Sequence, residues 1–166
     1  MRLLLWLMFS LQLLNPDLPA YRKLLAKSME SQAVAKHFYE QLKHAKTDGD
    51  PVILGFRAMS EMMLCKHMLN PISRIGHFNK GRDLLELAIK TKPGSPELLF
   101  FRLNTQVNVP TVLGYRGNLA SDKAELIKYL KKGTDESDAN LYKIIKNYLA
   151  QSSYCTAEER AMIKSL

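Results

Sequence analysis

The chain has 166 residues, 46% of them apolar, and a formal charge of +8 at neutral pH. That length fits one domain with a sizeable core. The positive balance favours anionic partners such as membrane surfaces, nucleic acid or acidic polymers, but solvated lysines give the same total, so charge alone excludes no function class and defines no site.

Met1-Arg2 is a short positive start, and Leu3 to Leu14 is an apolar run broken only by Ser10 and Gln12. Charge, run and length together predict a signal peptide over residues 1–20, since so short a run cannot span a bilayer. Leu18-Pro19-Ala20 is a poor cleavage site, so the boundary is loose, and a retained anchor or a buried first helix are the alternatives. Tyr21 to Lys46 reads as one long helix, ended by Thr47-Asp48-Gly49. Asp50 followed by Pro51 is a strong helix start, and the helix runs to about Leu69. It stops before Asn70-Pro71, because the residue before a proline disfavours α geometry.

From Ile72, the positions Phe78, Leu84, Leu85, Leu87 and Ala88 recur at helical spacing and predict one buried face. Pro93-Gly94 makes a tight exit, and Ser95 can cap the next helix with Pro96 at its first position. That helix carries Leu98, Leu99, Phe101 and Leu103, and the short connection predicts an antiparallel pair. Asn108 to Ala120 is the longest irregular stretch, too apolar to be freely solvated. It is expected to fold over one end of the bundle or to hold a short helix from Pro110. Ser121 or Asp122 should open a helix through Lys132, and another runs from about Ser137 to Ala150. Thr156 and Glu159 form a capping-box pattern for the last one. The expectation is an all-α domain over residues 21–166, with about seven helices and short links.

The order Gly81, Leu85, Ala88, Pro93 resembles the small, large, Ala, Pro series in the second helix of a tetratricopeptide repeat. The match covers about one repeat, with no second copy at the family's period of about 34 residues. Asn70-Pro71 interrupts it upstream, and no Trp or Gly stands at the usual places. The resemblance implies antiparallel helix pairs stacked in a right-handed array. The chain also resembles a group of small exported bacterial proteins with no assigned activity. Tyr21-Arg22-Lys23, Leu54-Gly55-Phe56, Phe78-Asn79-Lys80-Gly81, Leu113-Gly114-Tyr115 and Tyr154-Cys155-Thr156 carry that likeness. It implies an all-helical fold.

Met59, Met62, Met63, Cys65, His67 and Met68 crowd one helix, and thioether and thiolate suit a soft metal. On a helical wheel Cys65 and His67 point away from the methionines, so adaptable core packing is the better expectation and no metal is assigned. Cys65 and Cys155 are the only cysteines. They could pair, closing a loop of about 90 residues, or remain buried thiols. His37, Glu40 and His44 share a helical face but lack the order of a zinc-protease helix. A solvated face is the plainer expectation for them, and isolated, solvated positions for His67 and His77. Lys128, Tyr129, Lys131, Lys132, Tyr142, Lys143, Lys146 and Tyr148 interleave cations with aromatics. This suits nucleic acid or anionic lipid, but equally a lysine face with packed rings behind it.

No phosphate loop, nucleophile elbow or dinucleotide fingerprint occurs, and no cofactor is implied. The expected function is a non-enzymatic, exported scaffold offering a groove to a protein or peptide. In repeat-like stacks the first helix of each pair lines the inner surface. That analogy places Phe56, Met59, Met63, Arg102 and Gln106 near the groove, with Tyr115 from the apolar loop. The alternative is an envelope-associated basic protein in peripheral contact with anionic lipid or polymer. Nucleic acid is not expected as a partner.

Overall fold

The computed structural model describes residues 17–46, 48–134 and 138–166. Residues 1–16 of the expected leader, Thr47 and Ser137 lie outside the described residues. Among those described, the chain forms eight α-helices and one 3-10 turn, with no strand. They are α1 (Leu18–Ser28), α2 (Gln32–Leu42), α3 (Pro51–His67), α4 (Pro71–Thr91) and α5 (Pro96–Asn108). The 3-10 turn Thr111–Leu113 follows, then α6 (Leu119–Lys132), α7 (Ala139–Gln151) and α8 (Ala157–Ser165). The chain is therefore all-α, as its periodicity predicts.

α3 is the central element. Val52, Leu54, Phe56, Ala58, Met59 and Met62 are all buried on it, and so are the polar Ser60 and Glu61. These positions surround the helix rather than forming one stripe, which is what a helix covered on all sides shows. α4 packs back along α3 as its main partner, while α1, α2 and α5 also touch it. Two glycines set how close the neighbours come. A Cβ on Gly81 of α4 would sit 2.9 Å from the Ala58 carbonyl oxygen and 2.8 Å from Met62 Cγ. A Cβ on Gly55 of α3 would sit 2.3 Å from Leu98 Cδ2 on α5. Backbone approach at both crossings depends on the missing side chain.

The sequence pairs α4 chiefly with α5. The two do touch, but α4's broad contact is with α3, because its buried face is Phe78, Gly81, Leu85, Ala88 and Ile89. Leu87 does not belong to that face and is exposed. The predicted turn between α4 and α5 is present, with Gly94 at φ 78°. Ser95 occupies the cap position without a capping hydrogen bond from its side chain.

The expected helix over residues 21–46 is two helices. Ser31 breaks it, because its hydroxyl accepts from Val34 N and caps a new helix. Asp17 caps α1 by accepting from Ala20 N at 3.0 Å, and Leu18 packs against the core, so the expected leader boundary after Ala20 falls inside α1. α6 starts earlier than expected, at Leu119 after Asn118, and Asp122 is a buried residue of its first turn. The capping box of α8 forms in full: Glu159 N donates to Thr156 Oγ1 at 3.1 Å and Thr156 N to Glu159 Oε2 at 2.8 Å.

Helix propensity and packing oppose each other at the glycines of α4, which makes them diagnostic. Alanine at Gly76 meets nothing within 4 Å. Gly76→Ala should therefore raise stability by about 0.5–1 kcal/mol. At Gly81 the obstructing atom is a carbonyl oxygen, so overpacking outweighs propensity, and Gly81→Ala should lose about 1–2 kcal/mol. Urea unfolding of the two variants should shift the midpoint in opposite directions.

Candidate functional site

At one end of the bundle a half-open cavity of about 570 Å³ lies between α3, α4 and α5. α3 contributes Met59, Met62, Met63, Cys65 and Lys66 to its wall, and Met29 closes it from the end of α1. α4 contributes Pro71, Arg74, Ile75 and Phe78. The remaining wall is Asn104, Thr105 and Asn108 of α5 with Val109, Pro110, Val112 and Leu113. The lining is mainly apolar, with four methionines and no carboxylate. Methionine adapts its shape at little cost, which suits a surface that must accept a variable apolar partner.

Local sequence explains why a gap opens here. α4 has 21 residues and α5 only 13. At 1.5 Å per residue α4 is about 12 Å longer. Pro71 to Gly76 is exposed along its whole length, so the first turns of α4 stand beyond their neighbours. Asn70 stabilises this overhang by accepting from Ile72 N at 2.9 Å and Ser73 N at 3.2 Å. On the opposite rim Pro110 starts the 3-10 turn, and Gly114, at φ 63°, ends it. The apolar loop thus does form a short helix at the end of the bundle.

The floor is tied down. Thr105 Oγ1 approaches Met62 Sδ at 3.4 Å and Met59 Sδ at 3.8 Å. Lys66 Nζ donates to Met29 O at 2.8 Å, and His67 Nε2 lies 2.7 Å from Ser28 O. These two bonds fasten the end of α3 to the end of α1. His67 is therefore bonded rather than an isolated solvated residue. His77 is bonded as well: its Nδ1 lies 2.6 Å from Oε2 of the fully buried Glu61, whose Oε1 is 2.6 Å from Lys80 Nζ.

Of the six residues expected at a groove, the structure brings only Met59 and Met63 to this one. Phe56 is fully buried, edge-on to Phe101 at 5.0 Å and tilted against Tyr21 at 5.5 Å. Arg102 faces α6, donating to Asp122 Oδ2 at 2.7 Å, to Asp122 Oδ1 at 2.8 Å and to Glu86 Oε2 at 2.9 Å. Gln106 is buried and accepts from Asn118 N at 3.2 Å. Tyr115 donates to Glu86 Oε1 at 2.5 Å and stacks edge-on against Phe78 at 6.1 Å. The cause is rotation about α5. Positions 104, 105 and 108 face the cavity, and 102 and 106 lie on another side of the helix. Met29, Ile75 and Val112 are among the lining residues the sequence hid, because each sits in a segment that reads as helix interior or loop.

Arg102, Asp122, Glu86 and Tyr115 form a structural network behind the cavity. The hydrogen bond and charge of Asp122 raise the Arg102 pKa further above its ordinary value, and Glu86 adds to this. Burial, then the bond to Glu86, raises the Tyr115 phenol well above its ordinary range. A second buried fork holds the other side. Arg22 Nε and Nη2 donate to Glu97 at 2.7 Å each, and Nη1 to Asn140 at 3.0 Å, linking α1, α5 and α7.

Cys65 and Cys155 are both free thiols in the structure. Cys65 lines the cavity, whereas Cys155 is buried in the core before α8. Burial pushes both thiols up. Among the described residues no cluster of three or more His, Cys, Asp or Glu could hold a metal. Glu40 pairs with Lys43 at 2.5 Å, and His37 and His44 are exposed. The tyrosines of α6 and α7 are packed: Tyr148 meets Phe100 at 5.2 Å and Tyr142 meets Tyr129 at 6.1 Å. No helix among the described residues is long and apolar enough to cross a membrane.

Arg102→Leu leaves Asp122 buried beside an apolar group and should lower stability by about 3–5 kcal/mol. Arg102→Lys should recover little, since one ammonium cannot satisfy both carboxylates as a planar fork does. Arg102→Leu with Asp122→Leu should recover most of the loss. Urea unfolding of the three variants tests this, and a mild single variant would remove the network's structural role. An aromatic disulfide reagent should titrate Cys65 before Cys155 on the folded chain and find two thiols after denaturation; fewer than two would restore the disulfide.

No protein-family model, no curated protein and no solved structure matches this chain. What distinguishes it chemically is the methionine-lined cavity and the buried ion pairs around it.

Proposed function

We propose that the chain is a non-enzymatic, exported helical scaffold whose α3–α4–α5 groove takes an apolar segment of a protein or peptide partner. One observation carries this reading. Large exposed apolar side chains gather at the groove and its margins. Met29, Ile75 and Val112 line it, and Leu69 and Ile72 stand beside it at the start of α4. Leu69 is 96% exposed, Val112 90% and Ile72 82%. An exposed apolar patch rimmed by polar side chains marks an interaction surface more often than an accident of folding. Covering each such side chain is worth about 1.5–3 kcal/mol, so three or four of them offset a large part of the cost of association. The export reading rests on Arg2 and the apolar run Leu3 to Leu14.

A photo-crosslinking residue placed at Val112 tests the proposal, with Lys128 of α6, whose side chain is 78% exposed, as the control position. In extract of the source cell the Val112 probe should yield a discrete polypeptide adduct that survives high salt, because apolar contact is not screened. Ile75→Asp should reduce that adduct about ten-fold or more, in keeping with burying a charge in an apolar contact. The same adducts from Val112 and Lys128, or none from Val112, would overturn the reading. Retention on anionic vesicles that vanishes at high salt, without a Val112 adduct, would instead favour the charge-driven alternative.

A further inference from the structure

The charged side chains of the groove are of one sign. Lys66 and Arg74 line it, and no Asp or Glu does. Several cations elsewhere are held by carboxylates, Arg22 by Glu97, Lys80 by Glu61, Arg102 by Asp122 and Glu86, and Lys123 by Glu159, while others, such as Arg57 on the Ala45 carbonyl, rest on neutral oxygens. Among the described residues neither Lys66 nor Arg74 takes part in an ion pair. Lys66 is anchored on the Met29 carbonyl, a neutral acceptor, at 2.8 Å. Arg74 stands between the exposed Ile72 and Ile75 in the same turn of α4 and borders Cys65. Apolar walls and two uncompensated cations define one complementary shape, an apolar ridge with carboxylates beside it.

We propose that the occupant is an amphipathic helix with an acidic flank, its apolar ridge seated between α3, α4 and the Thr111–Leu113 turn and its carboxylates on Arg74 and Lys66. This rests on the groove being a protein-binding site. The extent of the exposed patch selects a helix over a single acyl chain. A fatty acid buried in a cavity of about 570 Å³ would leave Leu69 and Ile72, which stand beside it, uncovered. A helix about 10–12 Å across, with anchors at i, i+3 or i+4 and i+7, reaches both rims. The chain's own apolar run Leu3 to Leu14 is the wrong occupant on charge, since it contains no Asp or Glu.

Two labelled synthetic peptides separate the possibilities. They share one ridge of leucines at i, i+3, i+4 and i+7 and differ only in carrying four Glu or four Lys on the flanks. Fluorescence anisotropy with the full chain at low salt should show the Glu peptide binding about ten-fold tighter, a value within the range expected of two exposed ion pairs. The preference should shrink as salt is raised. Arg74→Glu, a change at an exposed position, leaves one cation against one carboxylate and should abolish it, and Lys66→Gln, which keeps a donor for Met29 O, should weaken it. Ile72→Asp should weaken both peptides. Equal binding of the two peptides would overturn the acidic flank and leave the groove reading standing. Binding of neither peptide, with displacement of an apolar dye by dodecanoate, would overturn both. A Val112 photo-crosslink to residues 3–14 of the same chain would overturn the acidic occupant as well.

Discussion

The fold depends on how closely two helices can approach α3. A helix buried on all sides must accept neighbours on opposed faces, and side chains normally hold helix axes about 8–10 Å apart. Gly55 and Gly81 remove Cβ atoms that would clash at two of the crossings, one toward Leu98 of α5 and the other toward Ala58 and Met62 of α3. Because α3 is enclosed, Glu61 becomes a buried carboxylate that needs His77 and Lys80 of α4 as partners. The same closeness brings Met59 and Met62 against Thr105 of α5. Tight backbone packing, buried charge and the sulfur-rich cavity floor are thus consequences of one constraint.

Two forks of arginine and carboxylate fix where the outer helices dock. Taking such charges out of water costs several kcal/mol per ion, so the forks are not a large net source of stability. Their effect is directional. A bidentate guanidinium accepts one rotation and one height of its partner helix, whereas apolar contacts tolerate sliding. Arg22 sets α1 against α5 and α7, and Arg102 sets α6 against α4 and α5. With α5 gripped on two sides, its third side, carrying Asn104, Thr105 and Asn108, is held facing the cavity.

Most of the fold was legible because its signals are local. Asp50-Pro51, Pro93-Gly94 and Thr156 with Glu159 each set a helix boundary within a few residues. What failed to show was non-local or weakly marked. Ser31 breaks a stretch whose apolar periodicity runs on through it, and one hydroxyl is a faint signal against that pattern. Arg102 and Gln106 read as groove residues by analogy with a repeat stack, in which the first helix of each pair lines the inner surface. Their partners Asp122 and Asn118 lie beyond an irregular loop, and spacing cannot announce such a pairing. The cavity itself has no sequence signature, since its walls come from α1, α3, α4, α5 and a turn.

The cavity follows from unequal helix lengths rather than from a dedicated motif. α1, α3 and α5 end around it, at Ser28, His67 and Asn108, while α4 begins there and overhangs. Helix C-termini leave carbonyl groups without helical partners. At this end side chains answer two of them: Lys66 and His67 reach the carbonyls of Met29 and Ser28. Answering one carbonyl with the ammonium of Lys66 satisfies the backbone without adding a carboxylate, and it leaves positive charge at the mouth of an apolar pocket. Local chemistry that closes the helix ends therefore also sets the sign of the groove, and a partner that buries Ile72 and Val112 meets that charge at the rim.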